Sequence, residues 1–265
     1  MYGLDLFSGI GGITKALEGY VRPIAYCEND RYATAVLLSR MASGDLPTAP
    51  IWDDVQTLKA IHLPRPIDII YGGFPCQDIS VAGRGAGLAG KRSGLFFEIV
   101  RLVSEIRPSF VFLENVAEIL NGSMGTIAQA FTRLRYELRW GVISAFDVGA
   151  PHLRERWFLM AHALSSRQWG DQWETKDESP YGPYPKRYSF QGRTVDRSQR
   201  EKESRAKQLS GLLFPSIEYA VSIARVYRTD HGIQSRMDSR RNMGLGNAVV
   251  PAQAREAFER LIGIK

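Results

Sequence analysis

The sequence predicts an α/β fold of the Rossmann-like kind, with a doubly wound sheet and one small irregular region. Between residues 2 and 162, short apolar runs typical of buried strands alternate with segments of helical spacing. The first run ends in a glycine turn that precedes Ile13 and Leu17 at helical spacing, which is how such a βαβ unit opens. A length of 265 residues, 44% of them hydrophobic, suits one large domain or one with a small appendage.

The charge balance is mildly basic. Lysine and arginine outnumber aspartate and glutamate by 34 to 28, so the net charge is +6. The excess lies between residues 151 and 242 and hints at a polyanionic partner. Within that stretch, residues 184–208 interleave basic and aromatic side chains. This pattern suits contact with nucleic acid, and equally a charged surface helix with a loop.

Cysteine content and hydropathy bound the class of protein. The two cysteines, Cys27 and Cys76, do not make a disulfide scaffold, and no Cys/His cluster has zinc spacing. No apolar run is long enough to span a bilayer, and the first residues lack the layout of a signal peptide. We therefore expect a soluble cytoplasmic protein that holds no metal and binds no membrane.

The glycine turn Ser8–Gly12 leads from the first strand into a helix. Its glycines allow a ligand to approach the backbone N–H groups at the helix start. The second strand, Pro23–Cys27, ends at Glu28, which lies 19 residues after Gly9. An acidic side chain at that position takes a ribose hydroxyl pair in dinucleotide-binding folds. The alternative is a solvated acid that caps the helix beginning near Asp30.

A third strand, Ile51–Val55, ends in carboxylates beside the same strand ends. Carboxylates at this point suit a hydrogen bond from an adenine amino group, although by themselves they are only a polar strand end. Cys27, just inside the second strand, is interpreted as a core residue.

Cys76 follows the buried strand Ile67–Tyr71 through the sequence Gly72-Gly73-Phe74-Pro75. Two glycines permit a sharp turn, and Pro75 stiffens the loop. A thiol held in this way is a candidate nucleophile, because the thiolate needs an electropositive, partly open site. On its own, Cys76 is more simply a buried structural cysteine, because a free cysteine is usually a small core residue. A long glycine-rich loop over residues 79–94 follows, and loops of this length serve as lids, binding loops or disordered connections.

Three further charged residues follow strands. Glu114 ends the buried strand Phe110–Leu113, at the edge of the sheet where Cys76 is predicted. It is a second catalytic candidate, or an N-cap acid for the next helix. Arg154 and Arg156 lie two apart in an extended segment and so face the same side. Both arginines point toward this edge, or both are solvated.

The chain resembles the bacterial and phage DNA (cytosine-5)-methyltransferases over roughly residues 3–162 and 231–262. Five of the family's motifs occur in its order. They are the S-adenosylmethionine loop Asp5–Gly12, the nucleophile loop Phe74–Gln77, the acidic motif Glu114–Val116, the twin-arginine motif Arg154–Arg156 and the closing motif Gly246–Pro251.

The resemblance implies a Rossmann-like class I methyltransferase fold with a mostly parallel, doubly wound sheet. It also implies transfer of a methyl group from S-adenosyl-L-methionine to carbon 5 of a flipped-out cytosine in double-stranded DNA, with S-adenosyl-L-homocysteine as product. Cys76 would be the covalent nucleophile, and Glu114 would protonate ring N3 or share its proton. Arg154 and Arg156 would hold the base and lower the pKa of the thiol.

By the same resemblance, a set of residues from five parts of the chain would line the methyl-donor pocket. These residues are Phe7, Gly9, Gly11, Glu28, Asp54, Leu95 and Asn247. No metal is implied, since methyl transfer from a sulfonium needs no Lewis acid.

The resemblance also divides the chain. Residues 1–162 would form the catalytic domain, residues 163–240 a small target-recognition region, and residues 241–265 a segment that returns to the catalytic domain. We expect a monomer acting in a bacterial or phage-infected cell, in a restriction-modification setting. A transfer-RNA methyltransferase is an alternative, although that group carries a Cys-Phe-Thr signature and no cysteine follows Cys76. A weakly active DNA-binding member of the family is another.

Overall fold

The computed structural model describes residues 1–63, 66–75, 94–150, 152–164 and 249–264. Within these ranges, strands and helices alternate as the sequence predicts. The strands are β1 (Tyr2–Leu6), β2 (Arg22–Cys27), β3 (Ile51–Trp52), β4 (Ile69–Gly73), β5 (Phe110–Val116), β6 (Tyr136–Ser144) and β7 (Glu155–Ala163). The α-helices are α1 (Gly12–Ala16), α2 (Arg31–Ala42), α3 (Gly94–Ile106), α4 (Met124–Arg133) and α5 (Pro251–Ile262). Short 3₁₀ turns cover Ala60–His62, Ala117–Leu120 and Ala145–Val148.

The seven strands form one sheet in the order β3-β2-β1-β4-β5-β7-β6. The first five run parallel, whereas β7 is antiparallel to both β5 and β6. The prediction of a mostly parallel, Rossmann-like sheet is therefore confirmed. Because the carboxyl ends of parallel strands meet at one edge, Gly73 of β4 lies beside Glu114 of β5. On the other side, Val116 of β5 pairs with Arg156 near the start of β7.

Helices cover both faces of the sheet and bury its apolar strands. One face holds a cluster that joins the strands to α3 and α4, with Phe96, Leu102 and Phe131 fully or almost fully buried. The other face packs on α1 and α5, where Phe258 is buried against Phe112. The strands read as near-continuous hydrophobic runs because the sheet is covered on both sides.

The third strand is shorter than predicted. The sequence favoured Ile51–Val55, but the strand ends at Trp52. The reason is local, because the main-chain carbonyl of Asp54 accepts hydrogen bonds from the N–H groups of Thr57 and Leu58. These bonds form a turn, so Asp54 lies beyond the strand and its side chain is exposed.

Gly72 allows two neighbouring strands to approach closely. A Cβ atom added to Gly72 would lie 1.9 Å from the main-chain carbonyl oxygen of Leu6 in β1. Backbone cannot withdraw as a flexible side chain can, so any larger residue must push β1 and β4 apart. This glycine therefore keeps the start of the predicted nucleophile loop against the central strand.

We predict that Gly72→Ala lowers the free energy of unfolding by about 3 kcal/mol or more, because it overpacks a backbone contact. Chemical denaturation monitored by circular dichroism measures this. Gly125→Ala is the matched control, since no atom lies within 4 Å of an added Cβ in this helical position. Alanine there should leave stability unchanged or raise it by roughly 0.5 kcal/mol. Equal stability of the two variants would contradict the contact.

A polar network lies beneath the glycine turn. The buried carboxyl of Asp5 accepts a hydrogen bond from the Thr14 hydroxyl at 2.6 Å, and Thr14 is 2.8 Å from the Tyr71 hydroxyl. The other carboxyl oxygen of Asp5 has no hydrogen-bond partner in the described structure. Burial raises the pKa of Asp5 to about 8, so the protein holds this carboxyl largely protonated at neutral pH.

We predict that Asp5→Asn stabilises the protein at alkaline pH. In the unfolded chain Asp5 ionises near pH 4, whereas in the folded protein it ionises near pH 8. The wild type therefore loses stability as pH rises between these values, and the neutral amide does not. At pH 8 the variant should be more stable by up to about 5 kcal/mol, at about 1.4 kcal/mol for each of the roughly four pH units between the two pKa values, and the difference should vanish toward pH 4.

Urea denaturation at several pH values measures the effect. Asp45→Asn is the control of opposite sign, because Arg40 and Lys15 hold the pKa of Asp45 below its usual value. Removing that charge should give no gain in stability at alkaline pH. Parallel pH profiles of Asp5→Asn and the wild type would contradict the buried, protonated Asp5.

Candidate active site

Glu114 is a buried acidic residue at the carboxyl edge of the described sheet. Its position near the end of β5 places its side chain against Gly73 of β4, where a Cβ atom would lie 2.6 Å from Oε2. Only 8% of Glu114 is exposed. Glycine at position 73 therefore makes room for this carboxyl group, a requirement that the sequence alone did not reveal.

Arg156 pairs with the buried carboxylate. Its Nε atom lies 2.9 Å from Oε1 of Glu114. The two residues are held in place by neighbouring strands, because β5 and β7 pair in antiparallel register. A guanidinium is the cation best suited to a partly buried carboxylate, since its charge is delocalised and its donors are fixed in a plane.

Burial and charge act in opposite directions on Glu114. Desolvation favours the neutral acid, whereas the guanidinium groups of Arg156 and Arg154 favour the carboxylate. Burial is the larger effect, and it raises the pKa of Glu114 to about 7. The group can therefore both hold and release a proton at neutral pH. Glu114 lies inside the strand, so its alternative role as a helix N-cap is not observed.

Arg154 lies just before β7 and belongs to the same electrostatic group. Burial and the neighbouring charge of Arg156 lower its pKa, while Glu114 raises it. The prediction that both arginines act at one edge is consistent with their joint effect on Glu114. Both guanidinium groups therefore place positive charge beside the Glu114 carboxyl.

Two contacts fix the segment of chain that leads to the predicted nucleophile. Phe74 is buried and packs on Phe96 of α3, with ring centroids 5.6 Å apart. The amide Nδ2 of Asn115 donates a hydrogen bond to the main-chain carbonyl of Phe74 at 3.0 Å. Asn115 thus ties the loop to the strand that carries Glu114. Cys76 itself lies outside the described residues.

Asn115 was not identified as a site residue from the sequence. The available signal was its place in the motif Glu114–Val116, where a polar residue follows the acid on a strand that is otherwise apolar. Strand residues alternate between faces, so the side chains of Asn115 and Glu114 leave the strand on opposite faces. One side chain supplies the acid and the other anchors the loop.

The glycine turn after β1 has left-handed backbone at three positions. Gly9 and Gly11 have φ values of 54° and 81°, in the left-handed region that favours glycine, and Phe7 has a φ of 54°. Gly11 also contacts Leu46, since an added Cβ would lie 2.4 Å from its side chain. The turn leads directly into the buried first residues of α1.

Glu28 joins this turn to the next helix. Its Oε2 accepts a hydrogen bond from the N–H of Gly9 at 2.7 Å, and its Oε1 accepts one from the N–H of Asp30 at 2.8 Å. The N-cap of α2 is Asp30, whose Oδ1 accepts from Ala33. Glu28 is therefore not the helix cap, and its carboxylate orients the turn.

Two more predicted pocket residues, Asp54 and Leu95, lie in the described part of the chain. Asp54 follows β3, whose last carbonyl, at Trp52, accepts a hydrogen bond from the N–H of Glu28 at 2.9 Å. Leu95 is half-buried at the start of α3 and packs on the core. Asn247 lies outside the described residues, but Val249 contacts Gly12, with its Cγ1 2.9 Å from an added Cβ. The closing segment thus reaches the glycine turn.

Cys27 is confirmed as a core residue. It is 3% exposed, and burial together with nearby carboxylates raises the pKa of its thiol to about 12. A thiol with this pKa is almost entirely protonated at neutral pH and is a poor nucleophile.

The structure also bears on other classes of site. Within the described ranges, no three His, Cys, Asp or Glu residues are grouped so that they could hold a metal ion. No described helix is both long enough and apolar enough to cross a membrane. The basic segment at residues 184–208 and the loop at residues 79–93 fall outside the described residues.

Comparison with known proteins identifies relatives of this chain. The chain is 34% identical over 159 residues to the type II methyltransferase M.CviJI of Paramecium bursaria Chlorella virus IL3A. It is 34% identical over 162 residues to the type II methyltransferase M.HhaI of Haemophilus parahaemolyticus. These matches cover 60% and 59% of this chain but 42% and 47% of the relatives, so the matched part spans less than half of either relative.

A solved structure with a similar fold belongs to a related protein. A prophage-encoded E. coli protein, described as a DNA modification methyltransferase, is 28% identical and superposes with a TM-score of 0.51. The superposition covers 62% of this chain and 47% of that one. The family of C-5 cytosine-specific DNA methylases matches residues 1–212, which include the glycine turn, Glu114 and both arginines. The chain belongs to the C-5 cytosine-specific DNA methylase family.

Proposed function

We propose that this protein transfers a methyl group from S-adenosyl-L-methionine to carbon 5 of a cytosine in double-stranded DNA. Membership of the methylase family supports the reaction class. The observation that carries the proposal is the buried Glu114, with a pKa of about 7 and Arg156 at 2.9 Å. It lies beside the strand that leads into Phe74, Pro75 and Cys76.

The chemistry explains why an acid and a thiol are both needed. Carbon 5 of cytosine is a poor nucleophile. In the proposed mechanism, the thiolate of Cys76 adds to carbon 6, forming a carbon–sulfur bond. The electron pair of the ring double bond becomes available at carbon 5, while Glu114 gives a proton to ring N3 and so limits the build-up of negative charge.

The later steps restore the aromatic ring. Carbon 5 takes the methyl group from the sulfonium donor, leaving S-adenosyl-L-homocysteine. A base then removes the proton on carbon 5, the carbon–sulfur bond breaks, and the thiolate of Cys76 leaves. Glu114 recovers the proton from N3. Arg154 and Arg156 orient the base and Glu114, and their positive charge favours the thiolate.

The glycine turn fits the methyl donor. The left-handed backbone at Gly9 and Gly11, and the carboxylate of Glu28 beside it, suit an adenosyl group with its ribose hydroxyls. We propose that Asp54 lies near the adenine amino group, and that Phe7, Leu95 and Asn247 complete the pocket. When bound, this donor supplies the electrophilic methyl group.

The DNA must present its base outside the helix. The target carbon is unreachable in a stacked duplex, so the cytosine is flipped toward Glu114 and Cys76. We propose that residues 163–240 recognise the target, that residues 1–162 perform catalysis and that residues 241–265 complete the catalytic domain. The basic residues between 151 and 242 suit the phosphate backbone. A monomer acting in the cytoplasm is sufficient for this reaction.

We predict that label passes from methyl-labelled S-adenosylmethionine to carbon 5 of cytosine in duplex DNA, and that Cys76→Ser abolishes the transfer. The serine hydroxyl is a far weaker nucleophile than a thiolate. Cys27→Ala is the matched thiol control and should retain the wild-type rate, because Cys27 is a buried core residue. Scintillation counting of purified DNA, followed by bisulfite sequencing, measures both the transfer and its position.

Transfer RNA is included as a second substrate in the same assay. Label on transfer RNA but not on DNA would replace the proposed substrate. Label on DNA that persists in Cys76→Ser would remove the assigned nucleophile. A protein that binds DNA but transfers no label would be a binding member of the family.

We predict that kcat/KM falls as pH rises through about 7, because the proposed step needs Glu114 in its protonated form. Glu114→Gln cannot give up a proton, so it should lose roughly 10²–10⁴-fold in rate and also lose this alkaline limb. Glu118→Gln is the control, because Glu118 is an exposed residue four positions later. This variant should keep the wild-type rate and the alkaline limb. A Glu114→Gln variant with the wild-type pH profile would contradict the role.

A further inference from the structure

Gln253 is a buried polar residue whose contacts lie at the twin-arginine segment. It belongs to the first turn of α5 and is 0% exposed. Its Nε2 atom donates hydrogen bonds to the main-chain carbonyl of Ile143 at 2.5 Å and to that of Arg154 at 2.6 Å. Burying an amide group without hydrogen-bond partners costs free energy. The two bonds from Nε2 to carbonyls in a distant part of the chain therefore indicate a specific contact.

The two carbonyls lie at the end of the β6–β7 ladder where the chain connects the two strands. Ile143 is the register partner of Arg156, and the carbonyl of Arg154 also accepts a hydrogen bond from the N–H of Ala145 at 3.0 Å. Gln253 therefore holds the main chain on both sides of the point where β7 begins. Arg154 and Arg156 project from this short stretch.

The position of this stretch matters for Glu114. Among the described residues, the charged groups that act on the Glu114 carboxyl are Arg156 and Arg154. Gly73, the residue packed on its other side, carries no charge. A shift of β7 by a fraction of an ångström would lengthen the pair between Arg156 and Glu114, and Arg154, the other described cation that acts on this carboxyl, projects from the same stretch.

We propose that Gln253 is a positioning residue that fixes the start of β7 and thereby keeps the Arg156 guanidinium on the Glu114 carboxylate. Its position in the chain gives this role a further meaning. α5 belongs to residues 241–265, the segment that follows the predicted target-recognition region in the chain. Gln253 therefore links this segment to the start of β7, which carries Arg156. The consequence for activity rests on the proposed methyl transfer, but the positioning does not.

The test is the titration of Glu114 by ¹³C NMR in protein with labelled glutamate, the signal being assigned by its loss in Glu114→Gln. Gln253→Met keeps the length of the side chain and removes the donor. We expect the pKa of Glu114 to rise by about one unit in this variant, because a nearby cation lowers a carboxyl pKa by roughly 1–3 units. Gln253→Asn, which is one methylene shorter, should give a smaller rise.

Two controls separate positioning from a general loss of stability. Leu261→Ala removes a buried side chain from the same helix, and it should destabilise the protein without moving the pKa of Glu114. In an Arg156→Met background, Gln253→Met should cause no further rise, since its effect passes through Arg156. An unchanged pKa in Gln253→Met, or an equal rise in Leu261→Ala, would overturn the proposal.

The titration needs neither methyl donor nor DNA, so its result does not depend on whether the protein transfers methyl groups. If it does, the alkaline limb of kcat/KM in Gln253→Met should move to higher pH by the same amount as the pKa of Glu114. A limb that stays in place while the pKa of Glu114 rises would contradict the proposed use of the Glu114 proton. It would leave the positioning by Gln253 intact.

Discussion

A single buried ion pair, between Glu114 and Arg156, is the interaction on which the rest of the site depends. Burial alone would keep the acid neutral, and pairing alone would keep it ionised. With both present, the pKa of Glu114 is about 7. An acid balanced in this way can exchange a proton with a ring nitrogen at neutral pH. The balance requires that the guanidinium stay close and that water stay away.

Several contacts in different parts of the chain preserve that balance. Gly73 leaves space for the carboxyl group, and Asn115 ties the carbonyl of Phe74 to the same strand. Gln253 holds the start of β7. These contacts come from β4, β5 and α5, so the geometry of one carboxyl group depends on segments that are far apart in sequence. This is a physical reason for the closing helix to return to the catalytic sheet.

Much of this could be predicted from the sequence, because its signals are local. Apolar runs and glycine turns located the strands, and Glu114 and the two arginines stood out as charges beside buried strands. The antiparallel direction of β7 could not be predicted, since an apolar strand reads the same in either direction. The bond of Gln253 to Arg154 spans 99 residues, and no local pattern encodes such a pairing. The link from Glu28 to Gly9 was also missed, because a carboxylate after a strand suits a ligand and a backbone N–H equally well.

The central claim is that the acid, the thiol and the target base meet at one point. The most direct measurement is a crystal structure of the protein trapped on a duplex whose target cytosine carries fluorine at carbon 5, where loss of a proton is impossible. We predict a bond between Sγ of Cys76 and carbon 6, with a Glu114 oxygen about 3 Å from N3 and Arg156 on the other oxygen. A trapped base whose N3 faces away from Glu114, or a bond to any other residue, would contradict this account.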